Sequence, residues 1–406
     1  MIDVVIPVYK GLEATRRCLE SVLANAQATP MEVVVIDDAT PERDIAEYLD
    51  RLAREGRITL ERNATNQGFV RSVNRGMLLH LDRDVVLLNS DTEVANDWLD
   101  RLHGASRSAA NVATVTPFSN NATICSYPFE GWDGGVPGGL GLARLDRLFA
   151  ATNAGKTVDL PTAVGFCMYI RRDSLVKLGL FDAERFGRGY GEENDFCMRA
   201  GKAGWRNLLA GDVFIFHEGS VSFSDERAAL SQAAAKALFE VHPDYPQVVH
   251  EFLVRDPPLD LRAAIDNARV AQDSGEIAHV LAERADERAK IMGGLWHIEQ
   301  LAAQRDAERD SKIGQLNRGL VHATALITER DRIIADRDRF IAEHAGTFRL
   351  AMEDMAKLRA GLSYAESLAF ERERELARIH SSWWWRWMTF VKVHLQPSAS
   401  KKRGAS

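Results

Sequence analysis

Apolar runs and amphipathic helical patterns alternate along the first half of this 406-residue chain. The runs at 4–8 and 32–36 are rich in Val and Ile and predict buried strands, and residues 12–26 between them have helical periodicity. This order repeats to residue 88 and predicts a mostly parallel open sheet with right-handed crossovers. The predicted fold class is therefore α/β. Further strands are expected at 58–62, 85–88, 164–171 and 213–217, and further helices at 44–55, 69–81 and 195–203.

Acidic side chains follow several of these predicted strands. Asp37 and Asp38 end the second strand, and Asn89-Ser90-Asp91 follows the apolar run at 85–88. Ligands of open parallel sheets bind beyond the carboxyl ends of the strands, so these acids are candidates for a ligand site. A divalent cation that bridges two phosphates needs one or two carboxylates, and Asp91 offers one. Taken alone, residues 89–91 are more typical of an ordinary turn than of a metal site.

A second acidic cluster lies at residues 192–195, after two glycines. Three carboxylates this close together cannot all be ionised and buried without raised pKa values. A raised pKa suits a general base that accepts a hydroxyl proton, so Glu193, Glu192 and Asp195 are the candidate catalytic residues. The alternative is an exposed acidic helix start, a role that Asp195 fits. His217 ends the last apolar run, where it is either a metal ligand or an ordinary structural histidine.

Charge and composition exclude several classes of protein. The formal net charge of −7 and a pI near 5.9 argue against a general nucleic-acid binder. The four cysteines are far apart and contain no CxxC pair, which is typical of reduced thiols in a cytoplasmic protein. The chain begins directly with a strand-like run and lacks the pattern of a signal peptide. No window holds the roughly 18 apolar residues that a membrane span needs.

In their order along the chain, six motifs resemble the family 2 glycosyltransferases, which have the GT-A fold. The resemblance covers about residues 1–225 and implies an inverting sugar transfer from a nucleotide-diphosphate sugar with the help of Mg or Mn. The motifs are Val5-Ile6-Pro7-Val8-Tyr9, Val35-Ile36-Asp37-Asp38-Ala39-Thr40, Asn66-Gln67-Gly68-Phe69, Leu88-Asn89-Ser90-Asp91-Thr92, Gly191-Glu192-Glu193-Asn194-Asp195-Phe196 and His217-Glu218-Gly219-Ser220.

The resemblance also implies roles for individual residues. Asp91 would bind the metal together with His217, and Glu193 would be the base, where the family usually has Asp. Asn89 occupies the first position of the DxD-type motif, so metal binding would rest mainly on Asp91. Glu192 and Asp195 remain further candidates for the base. The residues expected to bind the nucleotide sugar are Pro7, Tyr9, Asp37, Asp38, Asn66, Gly68, Arg71, Asn89 and Ser90.

Beyond residue 225 glycine becomes rare, and Ala, Arg, Glu and Leu dominate. An apolar residue recurs every seven positions from Ile313 to Leu376, which predicts a coiled coil and a homo-oligomer. The companion position is interrupted by three arginines and a histidine, and a helix folded back on itself is the alternative. The predicted domains are a GT-A domain at 1–225, a helical extension at 226–312, a coiled coil at 313–380 and a Trp-rich basic tail at 381–406.

The tail places four Trp within residues 383–387, next to Arg and Lys. This pattern predicts peripheral contact with the inner face of the cell membrane, with a protein-binding surface as the alternative. Family and tail together imply a glycan or lipid-linked acceptor in bacterial surface-polysaccharide assembly such as O-antigen. Similar sequences often use a deoxythymidine-linked rhamnose donor. Two other functions stay open: a nucleotidylyltransferase and a catalytically weak coiled-coil scaffold.

Overall fold

The computed structural model describes residues 1–306, apart from 188 and 220–226, and then residues 320, 324–335, 339, 359, 363 and 367–368. The chain divides into two compact units. The first comprises Met1–Ile291 with Arg337–Met352, and the second comprises Met292–Asp336 with Glu353–Ser406. All the strands described below belong to the first unit.

Strands and helices alternate through the first unit. The strands are β1 (Ile2–Val8), β2 (Met31–Asp37), β3 (Thr59–Arg62), β4 (Asp84–Leu88), β5 (Thr92–Glu93), β6 (Val112–Ser119), β7 (Thr157–Leu160), β8 (Cys167–Ile170) and β9 (Arg206–His217). The helices are α1 (Leu12–Ala24), α2 (Arg43–Arg54), α3 (Phe69–Met77), α4 (Trp98–Ser106), α5 (Leu142–Thr152), α6 (Arg172–Leu178), α7 (Ala183–Phe186), α8 (Glu192–Lys202), α9 (Arg227–Val241), α10 (Tyr245–Arg255), α11 (Leu259–Gln272) and α12 (Glu276–Asp306).

The described strands form one sheet in the order β3-β2-β1-β4-β8-β6-β9-β5, with β7 also paired to β9. Strands β1 to β4 run parallel to one another, and β6 runs parallel to β9. Strand β8 lies antiparallel between β4 and β6, and β5 and β7 are antiparallel to β9. Six strands therefore share one direction, and their carboxyl ends lie at one edge of the sheet.

The central strands are buried on both faces, which explains their nearly continuous apolar sequence. In β1, Val4, Ile6 and Val8 pack into one core together with side chains of α1, α2, α4 and α5. Val5 points to the opposite core, where side chains of α3, α6 and α8 pack. The predicted α/β class, with a mostly parallel open sheet followed by helices, is confirmed.

Most of the predicted coiled coil and the whole Trp-rich tail lie outside the described residues. Residues 324–335 are helical, and the heptad positions Ile327 and Ile334 are buried. The coiled coil, the domain boundaries and the role of the tail stay predictions. Among the described residues, no helix has both the length and the apolar composition that crossing a bilayer requires.

Candidate active site

Asp91 and His217 lie side by side at the carboxyl edge of the sheet. Residues Asn89 and Ser90 turn the chain after β4, and β5 then pairs with the end of β9, so that Thr92 lies opposite His217. The backbone N–H of Glu218 also donates to the carbonyl of Asp91 at 2.9 Å. Asp91 Oδ1 is 3.5 Å from His217 Nε2, and both side chains are largely buried. The structure thus brings together the two residues that were predicted to bind a metal.

The imidazole of His217 is held with Nε2 directed at Asp91. Its Nδ1 lies 2.7 Å from the carbonyl oxygen of Asn121. A carbonyl only accepts hydrogen bonds, so Nδ1 carries the proton and the lone pair of Nε2 is available. The ring stacks on Phe166, with the centroids 5.3 Å apart. A carboxylate oxygen next to a free imidazole nitrogen, oriented by a backbone carbonyl, is a donor set that fits a divalent cation such as Mn.

Asn120 fixes the backbone of His217, and the sequence analysis missed it. Its Oδ1 accepts a hydrogen bond from the His217 N–H at 2.8 Å. Its Nδ2 donates to the His217 carbonyl at 2.9 Å and to the Gly134 carbonyl at 2.7 Å. Its one mark in the sequence is the pair Asn120-Asn121 after β6, and this pair does not reveal a partner 97 positions away.

The acidic cluster opens α8, after a glycine in the left-handed backbone conformation that favours this residue. Gly191 has φ of 96°, and a Cβ there would lie 3.1 Å from the Phe186 ring. Glu192 is buried, and its Oε2 has no hydrogen-bond partner among the described residues. Burial together with the charge of Glu193 raises the pKa of Glu192 well above the ordinary value. Burial also raises the pKa of Glu193. Both carboxyls therefore take up protons more readily than exposed glutamates do.

Glu193 is oriented by Asn194. Thr162 Oγ1 and the Tyr245 hydroxyl donate to Asn194 Oδ1 at 2.7 and 3.0 Å. These two donors turn the amide so that Nδ2 donates to Glu193 Oε1 at 3.0 Å. Burial raises the pKa of Tyr245, so its hydroxyl stays protonated and remains a donor. Neither Asn194 nor Tyr245 was among the predicted site residues.

Asp195 faces away from this arrangement, toward a set of basic side chains. Its Oδ2 accepts from Arg199 Nε at 2.8 Å, and its Oδ1 lies 2.9 Å from His242 Nε2. Lys202 Nζ is 2.9 Å from His242 Nδ1 and must donate to it, so His242 donates from Nε2 to Asp195. Both oxygens of Asp195 are thus engaged in a buried network, which differs from the exposed helix start given as its alternative role, and a catalytic role for Asp195 stays a prediction.

Two consecutive residues connect the metal-ligand pair with the acidic cluster. Phe166 stacks on His217, and a Cβ on Gly165 would lie 3.7 Å from the carboxyl carbon of Glu193. Neighbouring Cα atoms are about 3.8 Å apart. Asp91 with His217 on one side and Glu193 on the other therefore border the same short segment.

The acids after β2 hold the neighbouring loops in place. Asp38 accepts from the backbone N–H groups of Gln67 and Gly68 at 2.7 and 2.8 Å, which fixes the loop that contains Asn66. Asp37 accepts from the Thr40 N–H at 2.8 Å and from Arg62 Nε at 2.9 Å. These acids lie at the same sheet edge as Asp91, and their binding of a nucleotide stays a prediction.

Other predicted donor-site residues lie on both sides of this loop. Pro7 is in β1, opposite Ile36 of β2, and Tyr9 follows β1 with Lys10 Nζ 5.2 Å from its ring centroid. Arg71 is exposed on α3 and lines a cavity of about 720 Å³ together with Asn63, Gln67 and Leu180, among others. The described lining of this cavity includes neither Asp91, His217 nor Glu193. Arg71 therefore lines this cavity apart from those three residues.

A third acidic group lies at the amino ends of the strands, opposite the candidate site. Ligand atoms of Asp3, Glu32 and His80 lie within 4.8 Å of one another. Arg83 Nη1 donates to Asp3 at 2.9 Å and to Glu32 at 2.6 Å. Because a guanidinium already supplies the positive charge, this group needs no metal.

A protein-family model matches part of the chain. Residues 3–179 match the model of the family Glycosyl transferase family 2. This segment is less than half of the chain. It contains Asp38, Asp91 and Phe166, and it ends before α8 and β9, which carry Glu193 and His217.

Similarity to individual proteins is low. The uncharacterized protein y4gI of Sinorhizobium fredii is 22% identical over 235 residues, and the chain spans only 25% of its length. Among solved structures, GalNAc-T7 with UDP, GalNAc and Mn2+ has a TM-score of 0.46 at 18% identity, over 66% of this chain and 55% of that one.

Two further solved structures are similar at the same level. The Pyrobaculum calidifontis mannosyltransferase PcManGT in complex with GDP-Man and Mn2+ has a TM-score of 0.42 at 17% identity, over 70% of this chain and 79% of its own. S. aureus TarS 1–349 in complex with UDP-GlcNAc has a TM-score of 0.41 at 17% identity, over 66% of this chain and 79% of its own.

Proposed function

We propose that this chain is a metal-assisted inverting glycosyltransferase that moves a sugar from a nucleotide-diphosphate sugar to a glycan or lipid-linked acceptor. The observation that carries the proposal is the arrangement around Gly165 and Phe166. It has a carboxylate–imidazole pair on one side and a half-buried carboxyl of raised pKa on the other. The family 2 match over residues 3–179 supports the reaction class.

Asp91 and His217 are the residues that would hold the cation, Mg or Mn. When bound there, the ion would offset the negative charge that grows on the departing diphosphate. Two protein ligands are enough for this purpose, because the phosphates of the donor supply further oxygen ligands. Asn89 and Ser90, in the same turn, would lie beside the diphosphate. Pro7, Tyr9, Asp37, Asp38, Asn66, Gly68 and Arg71 remain the proposed nucleotide-sugar residues.

Glu193 is the proposed general base. Its carboxylate takes the proton of the acceptor hydroxyl as the hydroxyl oxygen forms a bond to the anomeric carbon. The bond between that carbon and the diphosphate oxygen breaks, and its electron pair leaves with the diphosphate. Attack from the face opposite the leaving group inverts the configuration. Asn194 holds the carboxyl in place during this step through its 3.0 Å hydrogen bond.

The donor, the acceptor and the place of action are proposed from the sequence. Rhamnose linked to deoxythymidine diphosphate is one donor to test, and the UDP and GDP sugars named for the three similar structures are others. The Trp-rich tail, residues 381–406, is proposed to bring a cytoplasmic enzyme to a lipid-linked acceptor of surface polysaccharide at the inner membrane face. The predicted coiled coil would make the enzyme an oligomer.

A screen of nucleotide sugars tests the reaction class. The full chain is incubated with dTDP-rhamnose, UDP-GlcNAc, UDP-GalNAc or GDP-mannose and Mn or Mg, and release of nucleoside diphosphate is measured with and without EDTA. At least one donor should give EDTA-sensitive release. If none does, with or without bacterial lipid extract as a source of acceptor, the proposal is wrong.

Matched variants test the assigned roles. Glu193→Gln should slow transfer about 10²–10⁴-fold, the usual contribution of a general base. Asp91→Asn should raise the Mn concentration needed for half-maximal release. Glu184→Gln and Asp44→Asn change exposed acids on α7 and α2 and should leave both properties unchanged. Full transfer activity in Glu193→Gln would contradict the base assignment.

A further inference from the structure

A cluster of buried charged side chains joins α11 and α12 to the core of the first unit. None of its six members is more than 8% exposed. Removing charges from water is costly, and buried ion pairs contribute little net stability even when they are well paired. In some proteins such buried groups fix one geometry, and the contacts of this cluster indicate what it would position here. The six residues are Asp266, Arg269, Glu276, Glu283, Arg284 and Glu287.

Arg269 is the centre of this ion cluster. Its guanidinium pairs with Glu276 at 2.9 Å and with Glu283 at 2.6 Å, and it donates to the Tyr127 hydroxyl at 2.9 Å. Tyr127 in turn donates to Asp266 at 2.8 Å. The cluster therefore binds the side chain of Tyr127, just before the glycine-rich loop. We define this loop as residues 129–141.

The glycine-rich loop is held directly by α12. Glu276 Oε1 accepts from the Gly139 N–H at 3.0 Å. A Cβ on Gly138 would lie 2.5 Å from Arg269 Nη2 and closer still to Glu276, so only glycine permits this approach. Lys290 Nζ donates to the Gly131 carbonyl at 2.7 Å and pairs with Asp133 at 2.8 Å. Three points of the loop are thus tied to one helix.

The same loop contacts the metal-ligand side of the site. The Gly134 carbonyl accepts from Asn120 Nδ2, the group that also donates to the His217 carbonyl. Asn120 thereby connects the loop with the residue whose imidazole faces Asp91. Every link from α12 to His217 is a hydrogen bond or ion pair between described residues.

We propose that α11 and α12 are a brace that sets the glycine-rich loop against Asn120, so that Glu276, Arg269 and Asn120 are positioning residues for His217. The placement of the loop does not depend on the reaction. The positioning role rests on the proposed function, because it assumes that the imidazole of His217 binds a metal. The catalytic unit would then extend beyond the family 2 segment to residue 290.

Hydrogen exchange of the full chain tests the brace. In Glu276→Ala the amides of residues 129–141 should exchange at least about tenfold faster, because the loop opens locally, while β1 to β4 keep their protection. Glu276→Gln keeps an acceptor oxygen for Gly139 and should have a smaller effect. Leu49→Ala, a core change on α2, is the control for general destabilisation and should leave the loop protected. Unchanged loop exchange in Glu276→Ala would overturn the brace.

Binding of Mn2+ in the presence of UDP, measured by calorimetry, tests the positioning role. Partners that orient a metal ligand typically change metal affinity about 10–100-fold, so Asn120→Ala and Glu276→Ala should weaken binding by about tenfold. A loop released in Glu276→Ala with unchanged Mn2+ affinity in both variants would overturn the positioning role. If the unmodified chain binds no Mn2+ at all, the metal assignment of the proposed function fails, and the exchange experiment still decides on the brace.

Discussion

At Glu193 two opposing influences act on one carboxyl group. Burial raises its pKa, whereas the hydrogen bond from Asn194 favours the charged form and lowers it. Burial is the larger effect, so the carboxyl loses its proton at a higher pH than an ordinary glutamate, whose pKa is about 4.3. A base works only when deprotonated. The acid limb of the kcat/KM profile should therefore lie above that pH, and activity should fall as the pH drops through it.

Tyr245→Phe should move this limb further. The variant loses the hydroxyl that helps to turn the Asn194 amide toward Glu193, so the charged carboxylate is stabilised less and its pKa rises. The pH profile of nucleoside diphosphate release, compared between the variant and the unmodified chain, should show the limb at higher pH. Tyr48→Phe, on α2, is the control. Coincident profiles for Tyr245→Phe would show that the hydrogen-bond chain from Tyr245 does not reach the base.

The raised pKa of Glu192 should make the stability of the fold depend on pH. Its pKa is raised in the folded chain, so its contribution to stability is fully present below the unfolded pKa of about 4.3 and is lost as pH rises through the folded value. Glu192→Gln cannot ionise and should avoid this loss. The difference in melting temperature between the variant and the unmodified chain should therefore grow in favour of the variant from pH 5 to pH 8. A difference that is independent of pH would contradict the buried, neutral Glu192.

At the scale of elements, replacing each of two helical glycines by alanine should change the free energy of unfolding in opposite directions. In α3, a Cβ on Gly76 would overlap Cγ1 of Val5, because the helix packs closely on β1. Gly76→Ala should lower the free energy of unfolding by about 1–3 kcal/mol. In α4, a Cβ on Gly104 meets nothing within 4 Å, so Gly104→Ala should gain about 0.5–1 kcal/mol. Urea unfolding midpoints of both variants check the pair, and a neutral Gly76→Ala would show that the α3–β1 contact is looser than described.

The first elements were predictable because each is a local pattern. Strands β1, β2 and β4 and helices α1 to α3 lie within a few residues of their predicted bounds, since buried parallel strands and amphipathic helices leave periodic signals. Strand β6 was missed, although every residue in it is buried. It contains Pro117 and a register shift between Pro117 and Phe118, features that break the local strand signal. The antiparallel insertion of β8 between β4 and β6 is a long-range pairing that no local pattern encodes.

The same limit applies to the candidate site. The strand-end acids and His217 could be picked out from local sequence, and the fold places Asp91 and His217 3.5 Å apart. The partners that orient them could not be predicted. Asn120 acts on a residue 97 positions away, and Tyr245 reaches Asn194 across 51 positions. Hydrogen bonds of this kind depend on tertiary packing, which periodicity and residue type do not specify.

At the scale of the whole molecule, α11 and α12 should contribute to the stability of the first unit. A chain ending at residue 258 loses the partners of Tyr127 and the Leu261 carbonyl to which Asn153 donates. Leaving buried polar groups unpaired costs about 1–3 kcal/mol each. Its melting temperature should fall by at least about 5 °C relative to a chain ending at residue 306. Equal melting temperatures, measured by calorimetry, would mean that α11 and α12 are dispensable for folding.

The pairing of Thr92 with His217 restricts how β9 can change its length over generations. Side chains alternate between the two faces of a strand, so inserting or deleting one residue at 213–216 would send the imidazole to the far side of the sheet. A change of two residues would restore its orientation. Insertions or deletions at 213–216 that preserve function should therefore involve an even number of residues.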